Sequence, residues 1–303
     1  MKMKLHMLVS AAVLATTITS CTDLDVDIKS QYTQFPDTER AAAAISGDVY
    51  AAYRGALGRD HWMAQTISSD EAVSLSLGTD YYDGGRYREF HVHNWTPDNA
   101  ILPGMWNSAM TGINLANNVL AILGDDESPN AAPMRAMRAY FYFLLMDNFG
   151  DAPLIKEKME TVPDRSPRAE ICRFIESELL AVRDRLPTDV AVATYGRATK
   201  YMAEALLAKL YLNWAVYTSP DVAQYTPAAS NEKLNEVVAM CDAIIASGKF
   251  NLSSHQFMEK FRPNNGPQIK DFIFVMPYDR EKQQGMTYAR FWIHRSGQNQ
   301  FAP

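Results

Sequence analysis

The chain has 303 residues, a net charge of −6, 47% hydrophobic and 21% charged side chains. That length allows one large domain or two modest ones, and the composition excludes a wholly disordered or collagen-like chain. Lys plus Arg number 29 against 35 Asp plus Glu, with no basic run longer than two residues, which argues against a nucleic-acid partner.

Lys2 and Lys4 precede a mostly apolar run, Leu5 to Ile18. As a helix this run covers only about 21 Å, short of a hydrocarbon core of about 30 Å. It reads as the apolar region of a signal peptide spanning residues 1–20. Ile18-Thr19-Ser20-Cys21 follows, an apolar residue and two small ones before a cysteine. This resembles a relaxed lipobox, the cleavage and lipidation site of bacterial lipoproteins, and makes Cys21 the expected lipid-bearing mature N-terminus. Residues 21–36 read as a lipidated, solvated tether. Its alternating Asp23, Asp25 and Asp27 are similar to the acidic signal that sends some outer-membrane lipoproteins to the cell surface. No other segment is long and apolar enough to span a bilayer, so membrane attachment rests on the lipid.

Residues 37–303 read as one helical-repeat domain. Asp37-Thr38-Glu39-Arg40 opens an Ala-rich helix to Ala56, with acids in the first turn to suit the helix dipole. Residues 61–77 are predicted helical. Residues 78–98 hold Gly78, Gly84, Gly85, three tyrosines, two histidines, Trp95 and Pro97, and are predicted to be a long aromatic loop. Helix returns over 98–123 and stops at Gly124. The segment 131–148 is apolar around so much of its circumference that it must be packed on several sides, and Gly150-Asp151-Ala152-Pro153 ends it. Further helices are predicted over 167–186, 197–217 and 231–247. Asp271 to Tyr278 is a Phe-, Ile- and Val-rich run expected to form a short edge strand. Cys172 and Cys241 are read as two buried small hydrophobes, with a disulfide left open. Successive helix pairs with short connections suggest a tetratricopeptide-like α-solenoid, although the period is irregular.

Several segments, in order, resemble the SusD/RagB family of nutrient-binding outer-membrane lipoproteins. Trp106, Ile113, Ala116 and Asn117 look like its W-x-x-x-x-x-x-I-x-x-A-N helix. Arg138-Ala139-Tyr140-Phe141-Tyr142-Phe143-Leu144-Leu145, with Phe149-Gly150-Asp151-Ala152-Pro153, resembles its most distinctive segment. Pro163 through Pro187 is similar to the helix that follows, and Gly196-Arg197-Ala198-Thr199 through Leu212 to the next. The resemblance implies a mostly α, SusD-like solenoid that captures oligosaccharide or another nutrient. It also implies delivery to a SusC-like, TonB-dependent transporter of the outer membrane, with no cofactor. It further implies a longer C-terminal region, so residues up to Pro303 are expected to be a fragment or a truncated form with an incomplete binding face.

The residues themselves favour binding over chemistry. The acid pairs, such as Asp70-Glu71 and Glu176-Glu178, read as caps and solvated faces, and no GxSxG, HExxH or phosphate-binding glycine loop occurs. His91-Val92-His93 lacks the carboxylate or thiol that would complete a metal site. Tyr81, Tyr82, Arg86, Asn94 and Trp95 combine flat apolar faces with hydrogen-bonding groups, which suits the C–H faces and hydroxyl rims of sugars. Family members place glycan contacts in the corresponding loop. Trp292 is a candidate second platform, and Trp106 is expected in the core. The other reading is an envelope helical-repeat protein that binds peptide or protein instead of glycan.

Overall fold

The computed structural model describes residues 38–73, 83–124, 127–159, 161–226, 231–253, 255–279 and 281. Cys21, the expected signal peptide and tether, Tyr81, Tyr82 and Trp292 lie outside the described residues.

Helix α1 (Thr38–Leu57) buries Ala41, Ala42, Val49, Tyr53 and Ala56 along one stripe. Gly58 turns the chain directly into α2 (Arg59–Ser68): a Cβ there would stand 2.3 Å from the Arg54 carbonyl oxygen. The helix predicted over 61–77 ends early, where Ser68, Ser69 and Asp70 supply weak helix formers and Asp70 takes φ 59°. Helix α3 (Arg86–His91) is short, and α4 (Ile101–Leu123) is long. Along α4 the buried residues Ile101, Met105, Ala109, Ile113, Ala116 and Val119 recur at helical spacing.

Helix α5 (Ala131–Phe149) is the centre of the domain, buried on nearly every side as its apolar circumference requires. Phe141 lies against Gly112 of α4, where a Cβ would fall 2.3 Å from the ring. Gly150, at φ 78°, ends the helix. Two-residue strands β1 (Ala152–Pro153) and β2 (Arg165–Ser166) pair antiparallel and lead into α6 (Arg168–Val182). Helix α7 (Lys200–Leu212) starts three residues later than the sequence suggests. Thr199 caps it by accepting the Met202 N–H, and Gly196 holds the preceding turn at φ 72°. Helices α8 (Trp214–Tyr217) and α9 (Leu234–Ala246) follow. Helix α1 packs on α4, α4 on α5, α5 on α6, and α7 on α9. This chain of neighbouring pairs is the expected α-solenoid arrangement. Among the described residues, no helix is long and apolar enough to cross a membrane.

The motif residues on α4 and α5 form a buried polar lock. Arg138, on α5, donates from Nε and Nη2 to Oε2 of Glu178 on α6, and from Nη1 to Asn117 Oδ1 on α4 at 2.7 Å and to the Lys156 carbonyl. Arg135 donates two further bonds to Glu178 Oε1, at 3.1 and 2.6 Å. Asn117 donates to the Ile155 carbonyl, and the Tyr142 hydroxyl accepts the Ile155 N–H. Three helices and the β1 loop are thereby fixed in register. Charged hydrogen bonds satisfied on every side are what make a buried ion cluster tolerable.

Three expectations are corrected. Asp271–Tyr278 forms no strand among the described residues. It packs irregularly, bending at Ile273 and Phe274, against α1 and α5, with the Phe274 ring 5.0 Å from Tyr53 and 5.9 Å from Tyr140. A helical surface offers side chains but no free backbone edge, so no ladder forms. Cys172 is buried, and burial pushes its thiol up to about 12, but Cys241 is exposed on α9 and both cysteines are free. Trp106 is only partly buried, edge-on to Phe149 at the rim of the core.

Candidate functional site

The segment expected to be an aromatic loop over 78–98 is partly helical from residue 83 onward. Gly84 and Gly85 adopt φ 71° and 83° in succession, a left-handed turn that glycine alone makes without strain. The turn delivers the chain into α3. Tyr87 and Phe90, three apart, then drop into a satellite core with Met63, Ala64, Ile67, Ile101 and Met105. That leaves Arg86 and Glu89 partly exposed on the other side of α3.

Asn99 clamps this short helix to α4. It is 5% exposed, and its amide donates to the Arg86 carbonyl at 3.0 Å and to Glu89 Oε2 at 2.7 Å. Its side-chain oxygen accepts the N–H of Ile101 and so starts α4. The clamp stiffens a polar bowl of about 390 Å³ lined by Gly84, Arg86, Glu89, Thr96, Asp98, Asn99 and Ala100. The Arg86 guanidinium carbon lies 5.5 Å from the centre of the Tyr87 ring.

Trp95 immediately precedes Thr96 of this rim. Its indole is stacked on Phe90, with centroids 5.0 Å apart and planes 13° apart, and His93 lies 5.6 Å away. Phe90 is itself anchored in the satellite core, so Trp95 rests on a fixed support and remains 39% exposed. Asn94 is exposed beside it, its backbone N–H bonded to the Glu89 carbonyl at 3.1 Å. Arg86, Asn94 and Trp95 of the expected set are therefore carried by one small substructure. Tyr81, Tyr82 and Trp292 are outside the described residues and receive no position.

The sequence reading missed Glu89, Thr96, Asp98 and Asn99. The signal was present as Thr96-Pro97-Asp98-Asn99, a turn-and-cap pattern ahead of an apolar helical run. His91 and His93 do not share a strand face: His91 ends α3, and His93 takes φ 54°. Among the described residues, no three His, Cys, Asp or Glu side chains gather in a way that could hold a metal. The arrangement is thus a flat aromatic surface beside a bowl of fixed donors and acceptors.

The comparisons place the chain in a family. A family model described as "Starch-binding associating with outer membrane" (SusD-like) matches residues 23–212, well over half of the chain. The protein belongs to the SusD-like family. A SusD-like protein of Bacteroides ovatus is 25% identical over 229 residues, covering 70% of this chain and 39% of that protein. The starch-binding protein SusD of Bacteroides thetaiotaomicron is 33% identical over 87 residues, 29% of this chain and 16% of that one. Among solved structures, a SusD superfamily protein of Parabacteroides distasonis aligns with a TM-score of 0.69 at 21% identity, covering 86% of this chain and 55% of that one. Surface glycan-binding protein A of Bacteroides thetaiotaomicron, solved with laminarihexaose, aligns with a TM-score of 0.61 at 18% identity, covering 79% and 49%. These structures share the helical fold. The match spans about half the length of the solved neighbours and less of the curated relatives.

Proposed function

We propose that this protein is a lipid-anchored lipoprotein of the outer membrane, facing the cell surface, that binds oligosaccharide without altering it. In this reading it passes the sugar to a SusC-like, TonB-dependent transporter. Trp95 is the observation that carries the binding half. An indole stacked on a core-anchored ring, yet still open to solvent, is a preformed platform for a sugar face. Burying apolar surface there contributes roughly 25 cal/mol per Å². Arg86, Asn94, Glu89 and Asp98 supply polar groups that fix orientation, as a few polar groups do in ligand sites generally. The family match and the neighbour solved with laminarihexaose support the ligand class.

Lipidation at Cys21 and the transporter partner rest on the lipobox and on the family. Two or more acyl chains anchor stably where one does not. The competing protein-binding reading draws on the exposed Leu252, Phe257, Met258 and Phe261, of which the Phe257 and Phe261 rings lie 4.9 Å apart. Isothermal titration of neutral oligosaccharides against the wild type and Trp95→Ala separates the two. Loss of at least tenfold in affinity with an unchanged melting point supports the platform, whereas equal affinity assigns Trp95 a structural role. Cys21→Ala is expected to leave the membrane fraction, and copurification of a β-barrel from gently solubilised membranes tests the transporter.

A further inference from the structure

A second cleft lies between α1, the turn at 195–197 and the segment 275–279. It encloses about 290 Å³, and Tyr50, Arg54, Tyr195, Arg197 and Pro277 are in its lining. Gly47, Tyr50, Ala51 and Arg54 recur at the i, i+3, i+4, i+7 spacing of one helix face, with buried Tyr53 at the floor of the cleft, while Val49 and Ala56 of α1 are buried in the core. Gly47 has open space where a Cβ would stand, and Ala51 is exposed, so small residues keep the cleft open on the helix side. The opposite wall is held by a close approach. At Gly196 a Cβ would fall 2.7 Å from Pro277 Cδ, and φ is 72°, so glycine alone lets the turn rest on this proline.

Tyr50 joins the walls. Its hydroxyl oxygen accepts the Ala198 N–H at 3.2 Å, and the Arg197 guanidinium lies 4.6 Å from its ring centroid. No carboxylate pairs with Arg197 among the described residues. Arg54 lies 5.9 Å from the centre of the Tyr278 ring. Tyr195 is half-buried and stacks on no other aromatic ring among the described residues.

We propose that this cleft is a second saccharide site, selective for a sugar that bears a carboxylate. Tyr195 offers an apolar face, and the planar guanidinium of Arg197 is the group best matched to a carboxylate fork. Asp279, also in the lining, offsets one of the two cations, which suits a monoanionic carboxylate better than a dianionic phosphate. The volume lies near the lower end for ligand pockets, about 300 Å³, so the cleft accepts a terminal or branching acidic residue instead of a long chain. From the reading above, this inference takes only that the protein binds saccharide.

The test is isothermal titration of the full chain with trigalacturonate and with a neutral galactose trisaccharide. Trigalacturonate is expected to bind more tightly than its neutral counterpart. Arg197→Gln is expected to weaken it at least tenfold, and Arg197→Lys by a smaller factor, since charge persists while the fork is lost. Ala51→Trp fills the cleft from the exposed face of α1 and is expected to abolish binding; it decides the matter if Arg197→Gln fails to fold. Affinity that falls with Trp95→Ala but not with Arg197→Gln assigns the acidic sugar to the α3–α4 bowl and overturns the proposal. Absence of trigalacturonate binding overturns it as well. The bowl is judged separately, by neutral glycans alone.

Discussion

Glu178→Ala tests whether the Arg138 lock is what fixes the helices in register. Glu178 is 5% exposed and receives four charged hydrogen bonds, two from Arg135 and two from Arg138. Removing the carboxylate affects the two arginines differently. The Arg135 side chain is 17% exposed and can turn toward water, whereas Arg138 is 7% exposed there and keeps Asn117 Oδ1 and the Lys156 carbonyl as acceptors, beside the Phe174 ring. One buried cation is thus left without its counter-ion, a loss of about 3–5 kcal/mol. Urea unfolding followed by circular dichroism measures it. With m near about 3 kcal/mol/M, the midpoint should fall by about 1–1.7 M at unchanged m. Replacing both members, as Arg138→Met with Glu178→Leu, should recover much of the loss, because no charge then remains buried in Arg138's place. A drop below about 1 kcal/mol for Glu178→Ala would refute the reasoning, and would mean that packing alone holds α4, α5 and α6 together.

Gly112→Ala should cost about 1–3 kcal/mol by overpacking against the Phe141 ring, and Phe141→Leu in the same chain should relieve part of it; thermal melts of both variants check this. Phe141 is fully buried and its truncation to Ala should cost about 3–5 kcal/mol, while Tyr140→Ala, at a half-buried position, should cost less in the same denaturation assay. His61 has a ring nitrogen, Nε2, buried without a hydrogen-bond partner, and burial holds its pKa below the usual 6.5, against the opposing pull of Asp147 and alongside Lys209. The unfolded chain therefore takes up a proton at His61 that the folded chain resists, so stability should fall as pH drops below about 6.5. His61→Gln should flatten that part of the stability–pH curve, and an identical slope in the variant would count against the assignment.

The helices were legible in the sequence because burial on one face imposes a period along the chain. The apolar circumference of Ala131–Phe149 required a central helix, and Gly124 and Gly150 marked stops that the positive φ at both residues explains. The ordered motifs also carried the family, for a reason the structure makes plain: Asn117, Arg138 and Tyr142 hold helices to one another and to the β1 loop. Such residues are constrained by packing whatever the ligand. The sequence reading also picked out Arg86, Asn94 and Trp95 by side-chain type alone. It missed Asn99 and Glu89, because a clamp between a short helix and the start of a long one depends on distances across ten or more residues. It read Asp271–Tyr278 as a strand from composition, which cannot say whether a backbone edge or a helical surface waits alongside. The cleft at Tyr50 and Arg197 brings together residues 147 apart in the chain, joined by a glycine whose need appears only when Pro277 is seen against it. Local periodicity decides which segments become helices; which side chains meet between them is decided by long-range packing, and no local pattern encodes it.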